Sequence, residues 1–84
     1  MAVVTIYTRA FCPYCTRAMQ LLKKKDVKID QIDAGMNAMK KQEMIKRSNG
    51  GRTFPQIFVG DTHIGGCDDL MALERKGALD TMLA

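Results

Sequence analysis

Short β-branched runs alternate with helix-periodic segments along the whole of an 84-residue chain, and few architectures accommodate that alternation. Val3-Val4-Thr5-Ile6-Tyr7 has the β-branched and aromatic pattern of a buried strand. Thr8 to Phe11 reads as a loop, and Cys12-Pro13 opens a helix, since proline suits the first helical position where no amide partner is needed. Cys15, Ala18, Met19 and Leu22 then recur at helical spacing. Val27 to Gln31 alternates apolar with polar residues, predicting a second strand with one wet face. After a turn at Asp33-Ala34-Gly35, a second helix is expected from Met36 to about Ser48, with Met36, Ala38, Met39, Met44 and Ile45 as its apolar stripe. Asn49-Gly50-Gly51 ends it, a glycine taking the left-handed conformation. Pro55 to Val59 reads as a third strand, and Gly60-Asp61 turns the chain into a short fourth at Thr62-His63-Ile64. Gly65-Gly66 breaks that strand. Asp68 or Asp69 caps a third helix through Leu70, Leu73 and Glu74, stopped by Gly77, and Ala78 to Leu83 adds a last helical turn or two. The order β-α-β-α-β-β-α predicts an α/β fold, a parallel core extended by an antiparallel hairpin. No linker, repeat or low-complexity tract interrupts it, so residues 1–84 are expected to form one domain.

Composition narrows the function classes. Apolar residues at 46% and charged residues at 26% fit a globular chain and exclude collagen-like and disordered ones. No apolar run approaches the roughly eighteen residues of a membrane helix, and the stretch from Met1 to Tyr7 has no basic region of a signal peptide. The expected compartment is the reducing cytoplasm. There, three cysteines point to catalysis or metal binding rather than a disulfide scaffold. A net charge of +4 resides largely in Lys23-Lys24-Lys25, Lys40-Lys41 and Lys46-Arg47, read as solvated helix faces able to steer anionic partners weakly. With no Trp, 6% aromatics, and neither a zinc finger nor a recognition helix, nucleic-acid binding is not expected.

The chemistry lies in Cys12-Pro13-Tyr14-Cys15. A cysteine at a helix N-cap lies beside unpaired amides and the positive end of the helix dipole, both of which favour thiolate, the form that attacks disulfides. Cys15, one turn further and more buried, can wait as a thiol and then resolve a mixed disulfide on an exposed Cys12. The same two cysteines, with His63 and Cys67, would also make a Cys₃His zinc set, although Pro13 in the bite and the spacing of His63 and Cys67 suit zinc poorly. Cys67 otherwise reads as a small buried side chain, His63 as surface filler, and the seven methionines as core filler.

Tyr7-Thr8-Arg9-Ala10-Phe11-Cys12-Pro13-Tyr14-Cys15, Arg52-Thr53-Phe54-Pro55-Gln56-Ile57-Phe58 and Gly65-Gly66-Cys67-Asp68-Asp69-Leu70 resemble, in order and spacing, the three signature blocks of dithiol glutaredoxins. The similarity is greatest to the short bacterial glutaredoxin 3 type. It implies a thioredoxin-like fold, with a four-stranded mixed β-sheet flanked by helices, and reduction of protein disulfides and glutathione mixed disulfides. Glutathione would be co-substrate and electron donor, no cofactor would be tightly bound, and the potential would lie near −200 to −230 mV. Cys12 would be the nucleophile and Cys15 the resolving thiol. The glutathione site would comprise Arg9, Tyr14, Thr53, Phe54, Pro55, Gly66, Cys67, Asp68 and Asp69, with Pro55 at the family's cis-proline position and Gln42 and Arg52 near the glycine end. Arg9 stands where the family usually has Lys, and Phe54 where it has a small β-branched residue. Partners would be glutathione and disulfide-containing proteins such as ribonucleotide reductase, with the chain a cytoplasmic monomer engaging neither nucleic acid nor membrane. The competing class is a metal-binding module, holding zinc or a glutathione-ligated iron–sulfur cluster between two chains. Pro13 argues against the cluster, because the family's cluster binders mostly lack a proline there.

Overall fold

β1 (Val3–Thr8) is buried from Val4 through Thr8, and the rest of the fold is arranged on its two sides. The computed structural model describes residues 3–84; Met1 and Ala2, at the head of the stretch lacking a basic region, lie outside the described residues. Along the chain follow α1 (Pro13–Lys24), β2 (Lys28–Asp33), α2 (Ala38–Arg47), β3 (Gln56–Val59), β4 (Thr62–Gly65), α3 (Cys67–Lys76) and α4 (Ala78–Leu83). The strands form one mixed sheet in the order β2-β1-β3-β4. β1 and β2 run parallel, with Val3 opposite Lys28, while β3 is antiparallel to both β1 and β4. This is the thioredoxin-like arrangement that the sequence implied.

Alternation along β1 sends side chains into two separate cores. Val4 and Ile6, with Ile57 and Val59 of β3, meet Ala18 and Leu22 of α1, Cys67 and Leu70 of α3, and Leu79 and Leu83 of α4. Tyr7 and Phe58 turn to the other face, where Met44 of α2 and Ala34 close a smaller cluster flanked by Ile32, Ile45 and Phe54. Lys25 fastens the larger side, its Nζ lying 2.8 Å from both Glu74 and Asp80. It is therefore not part of a solvated lysine face, because its side chain is only 16% exposed between α1 and the α3–α4 corner.

Several expected boundaries shift. β2 begins and ends later than Val27 to Gln31, and α2 starts at Ala38 with Asn37 capping it through the Lys40 amide at 3.1 Å. Met36 precedes that helix and is 96% exposed, and Met39 is 83% exposed, so of the expected stripe only Met44 is fully buried. Asn49 (φ 56), not a glycine, makes the first left-handed step after α2. The Gly50 amide then closes back on Ile45 O at 2.8 Å. Asparagine tolerates that conformation better than most residues. α3 is capped by Gly66, whose N–H donates to Asp69 Oδ2 at 3.0 Å, so Asp69 acts from the third helical position rather than as N-cap.

Leu22→Ala should lower stability by about 2–5 kcal/mol, because a fully buried side chain leaves a cavity between α1 and the sheet. Met39→Ala, on the exposed face of α2, should change it by less than about 0.5 kcal/mol. Urea unfolding of both variants checks the pair, and equal losses would contradict the exposure of Met39.

Candidate active site

The β1–α1 junction delivers the two cysteines to one end of the sheet. Cys12 is the N-cap of α1, in extended conformation, and Pro13 occupies the first helical position. Cys12 Sγ accepts the Cys15 N–H at 3.2 Å, and its carbonyl accepts the Thr16 N–H at 3.1 Å. The thiol therefore takes the place of the oxygen that usually caps a helix. That bond also turns the sulfur inward. Cys12 is 6% exposed, close to the 4% of Cys15, so the expected contrast of an exposed nucleophile and a buried partner is not found.

Burial pushes the Cys15 thiol up to about 11, and its contact with Cys12 adds to the shift. The Arg9 amide and charge pull the other way. Cys67, first residue of α3 and also buried, has its thiol raised by burial; Arg17 opposes the shift, while Asp68 and Cys12 add to it.

On the β3–α3 side of the dithiol lies a groove of about 220 Å³. Tyr14 supplies one wall, Thr53, Phe54 and Pro55 a second, and Gly66, Cys67, Asp68 and Asp69 the third. The Phe54–Pro55 peptide is cis. The sequence-predicted set thus comes together, with one exception. Arg9 lines a separate, larger cavity of about 680 Å³ on the β2 side, where Cys12 and Cys15 also lie. The chain leaves β1 after Thr8, and Arg9 packs so closely on Gly35 that a Cβ there would come within 2.6 Å of Arg9 Cβ. Gln42 and Arg52 are exposed and line neither cavity.

Two groups in the groove are held by residues the sequence reading passed over. Gln56, the first residue of β3, donates from Nε2 to Thr53 O at 3.0 Å and to Thr53 Oγ1 at 3.2 Å. Its Oε1 lies 2.7 Å from His63 Nε2. Since that oxygen only accepts, His63 carries its proton on Nε2. The His63 ring also lies 4.8 Å from Phe58, so His63 is at the surface as expected but is braced there by Phe58 and Gln56. The antiparallel pairing of Phe58 with His63 would have revealed the contact had the hairpin register been known. On the opposite wall, Gly65 (φ +120) must lack a side chain, because a Cβ there would collide with the Asp69 carboxylate.

Among the described residues, no three His, Cys, Asp or Glu side chains are placed to hold a metal. The Cys₃His zinc set is not assembled, because His63 is directed at Gln56.

Comparison with known proteins identifies the arrangement. Residues 4–64 match the Glutaredoxin family model. Glutaredoxin 3 of Escherichia coli (strain K12) is 54% identical over 83 residues, covering 99% of each chain. The solution structure of glutaredoxin from Brucella melitensis superposes with a TM-score of 0.84 at 52% identity, covering 99% of this chain and 89% of that one. A crystal structure of a buckwheat glutaredoxin–glutathione complex superposes with a TM-score of 0.83 at 30% identity, covering 98% of this chain and 76% of that one.

A thiol raised to about 11 remains protonated at neutral pH. Burial, the largest cause, persists in the Cys12→Ser variant, so alkylation of Cys15 there, followed by peptide mass spectrometry, should be slow at pH 7 and rise only above the ordinary thiol value of about 8.5. Half-maximal labelling rates near pH 8 would show that burial does not govern this thiol.

Proposed function

This chain belongs to the glutaredoxin family, and from that membership we propose that it reduces protein disulfides and glutathione mixed disulfides with glutathione as electron donor. The observation that carries the reading is the juxtaposition of an N-capping Cys12, a Cys15 one turn behind it, and a neighbouring groove walled by Tyr14, Thr53-Phe54-Pro55 and Gly66 to Asp69. Thiol–disulfide exchange follows from the family. The glutathione step draws further support from the buckwheat relative, whose complex contains that tripeptide.

In the proposed cycle Cys12 thiolate attacks one sulfur of a substrate disulfide, forming a mixed disulfide and expelling the other sulfur as thiolate. Cys15, deprotonated, attacks Cys12 Sγ and releases the reduced substrate, leaving Cys12 and Cys15 joined. One glutathione thiolate opens that bond at Cys12 and frees Cys15. A second attacks the bound glutathione sulfur, giving glutathione disulfide and regenerating Cys12 thiolate. Two electrons pass from two glutathiones to one disulfide.

Each groove wall has a matching task. The Thr53 carbonyl and the peptide before Pro55 present polar backbone groups that pair with an extended tripeptide. Cys67 and Asp68 offer amides at the start of α3 for the γ-glutamyl carboxylate, the Gly66 amide being taken by Asp69. Asp68 takes the ammonium, since Asp69 already accepts from Gly66. Tyr14 flanks the sulfur, and Phe54, reaching from the groove into the smaller core, narrows the wall. Arg9 acts on the thiols from the β2 side and reaches the glycine carboxylate only by swinging out of its cavity. The structure contains no helix long and apolar enough to cross a membrane among the described residues. We assign the protein to the cytoplasm, where the dithiol is kept reduced.

Glutathione-coupled turnover tests the reading. Cys12→Ser should lose all activity. Cys15→Ser should keep most of its turnover of a small glutathione mixed disulfide yet lose at least ~10-fold in reduction of a protein disulfide. Equal loss of the two activities in Cys15→Ser would refute the division of labour.

A further inference from the structure

We propose that the larger cavity, on the β2 side of the dithiol, docks the protein substrate by taking up an extended acidic segment beside its reactive cysteine. This rests on the proposed reduction of protein disulfides and adds to it a second binding face beside the glutathione groove.

Size and continuity come first. The cavity holds about 680 Å³, against about 220 Å³ for the groove, and both Cys12 and Cys15 line it. A segment lying in it therefore stays connected to a sulfur bonded to Cys12. From Cys12, the wall continues along one stripe of α1 through Thr16, Gln20 and Lys23, at the three- and four-residue spacing that aligns side chains on a helix. At 1.5 Å per residue that stripe is roughly 16 Å long, the length of about five residues of extended chain.

Charge selects the occupant. Arg9 and Lys23 line the cavity, and no aspartate or glutamate does. Neither cation takes part in an ion pair among the described residues, whereas Lys25, two positions further, is clasped by two carboxylates. Across from the stripe, Gln31 donates to Thr8 Oγ1 at 3.2 Å, which leaves its carbonyl oxygen to accept a backbone amide. A carboxylate-bearing segment satisfies both cations, while a basic one would be repelled.

An exposed aromatic residue also lines the cavity. Phe11 is 98% exposed and held at φ 56, a left-handed conformation that is unfavourable for a bulky residue. An aromatic ring kept in water on a strained backbone gains nothing inside this chain, but it gains contact area from a partner. The segment that fits is thus acidic with an apolar residue near the cysteine.

Two measurements test this. The first compares glutathione-coupled reduction of disulfide peptides whose cysteine is flanked by glutamates or by lysines, at low salt. The wild type should favour the acidic peptide by ~5-fold or more. Lys23→Glu should reverse the preference and Phe11→Ser weaken both peptides, while turnover of a small glutathione–cysteine mixed disulfide stays unchanged. Equal rates for the two peptides in the wild type, or parallel losses on the small disulfide, overturn the proposal. The second measurement does not require turnover. A glutamate-rich peptide with one leucine and serine in place of cysteine, titrated into the reduced ¹⁵N-labelled protein, should shift the amides of Thr16, Gln20 and Lys23. Shifts confined to Tyr14, Thr53 and Gly66 overturn it, as do shifts at the α1 stripe on concentrating the protein alone, which assign the cavity to a second copy of this chain. Failure of glutathione turnover with normal peptide shifts would refute the proposed donor and leave the docking face standing.

Discussion

The hydrogen bond from the Cys15 amide to Cys12 Sγ, at 3.2 Å, is where the fold and the chemistry become one structure. It starts α1, because a helix needs an acceptor for its first amides. It also fixes the reactive sulfur against the positive end of that helix. Pro13 makes the arrangement compact by removing an amide that would compete for an acceptor. β1 stops at Thr8 on one side of this junction, and α1 is anchored by Ala18 and Leu22 on the other. The sulfur's position is therefore determined by the larger core rather than by the loop that carries it.

The smaller core has a different task, which is to keep the groove wall still. Arg47 on α2 donates to the Tyr7 hydroxyl at 2.9 Å and lies 4.3 Å over the Phe58 ring, while Tyr7 donates to Glu43 at 2.5 Å. Phe58 faces His63, His63 donates to Gln56, and Gln56 donates twice to Thr53. A continuous set of contacts thus leads from α2 to the backbone just before Pro55. Each link is modest alone, worth on the order of 1 kcal/mol. Together they hold Thr53, a loop residue of the groove wall, in place.

What could be read from the sequence was whatever depends on neighbours in the chain. The alternation of strand and helix signals, the proline after Cys12, the hairpin at Gly60-Asp61 and the left-handed Gly77 (φ 75) are all local, and all are present. The three signature blocks likewise located eight of the residues around the groove. Some misreadings are local, as at Asn49, Asp69 and Cys12, where a cap took another form; the others come from packing between distant segments. Met36 and Met39 have the spacing of a buried stripe, but α2 offers Met44 and Ile45 to the sheet instead, and the methionines are left in water. Lys25 belongs to a lysine run, yet Glu74 and Asp80 arrive from some fifty residues away. Arg9 directly follows β1, and nothing nearby in the chain shows that Gly35 will hold it on the β2 side.

The high thiol of Cys15 looks at first like an obstacle to the proposed resolving step, which needs its thiolate. The causes of the shift resolve this. Burial raises it most, but the hydrogen bond to Cys12 and the charge of Cys12 raise it further, and both depend on Cys12 being a free sulfur. A Cys12 sulfur bonded to a partner carries no charge and accepts hydrogen bonds poorly. The Arg9 amide and charge remain, pulling the Cys15 thiol down against burial alone. Cys15 is thus hardest to ionise while Cys12 is available to attack, and easiest to ionise once Cys12 carries a bond to be resolved. Arg9, standing away from the groove, keeps its charge beside Cys15 for as long as it lies in that cavity.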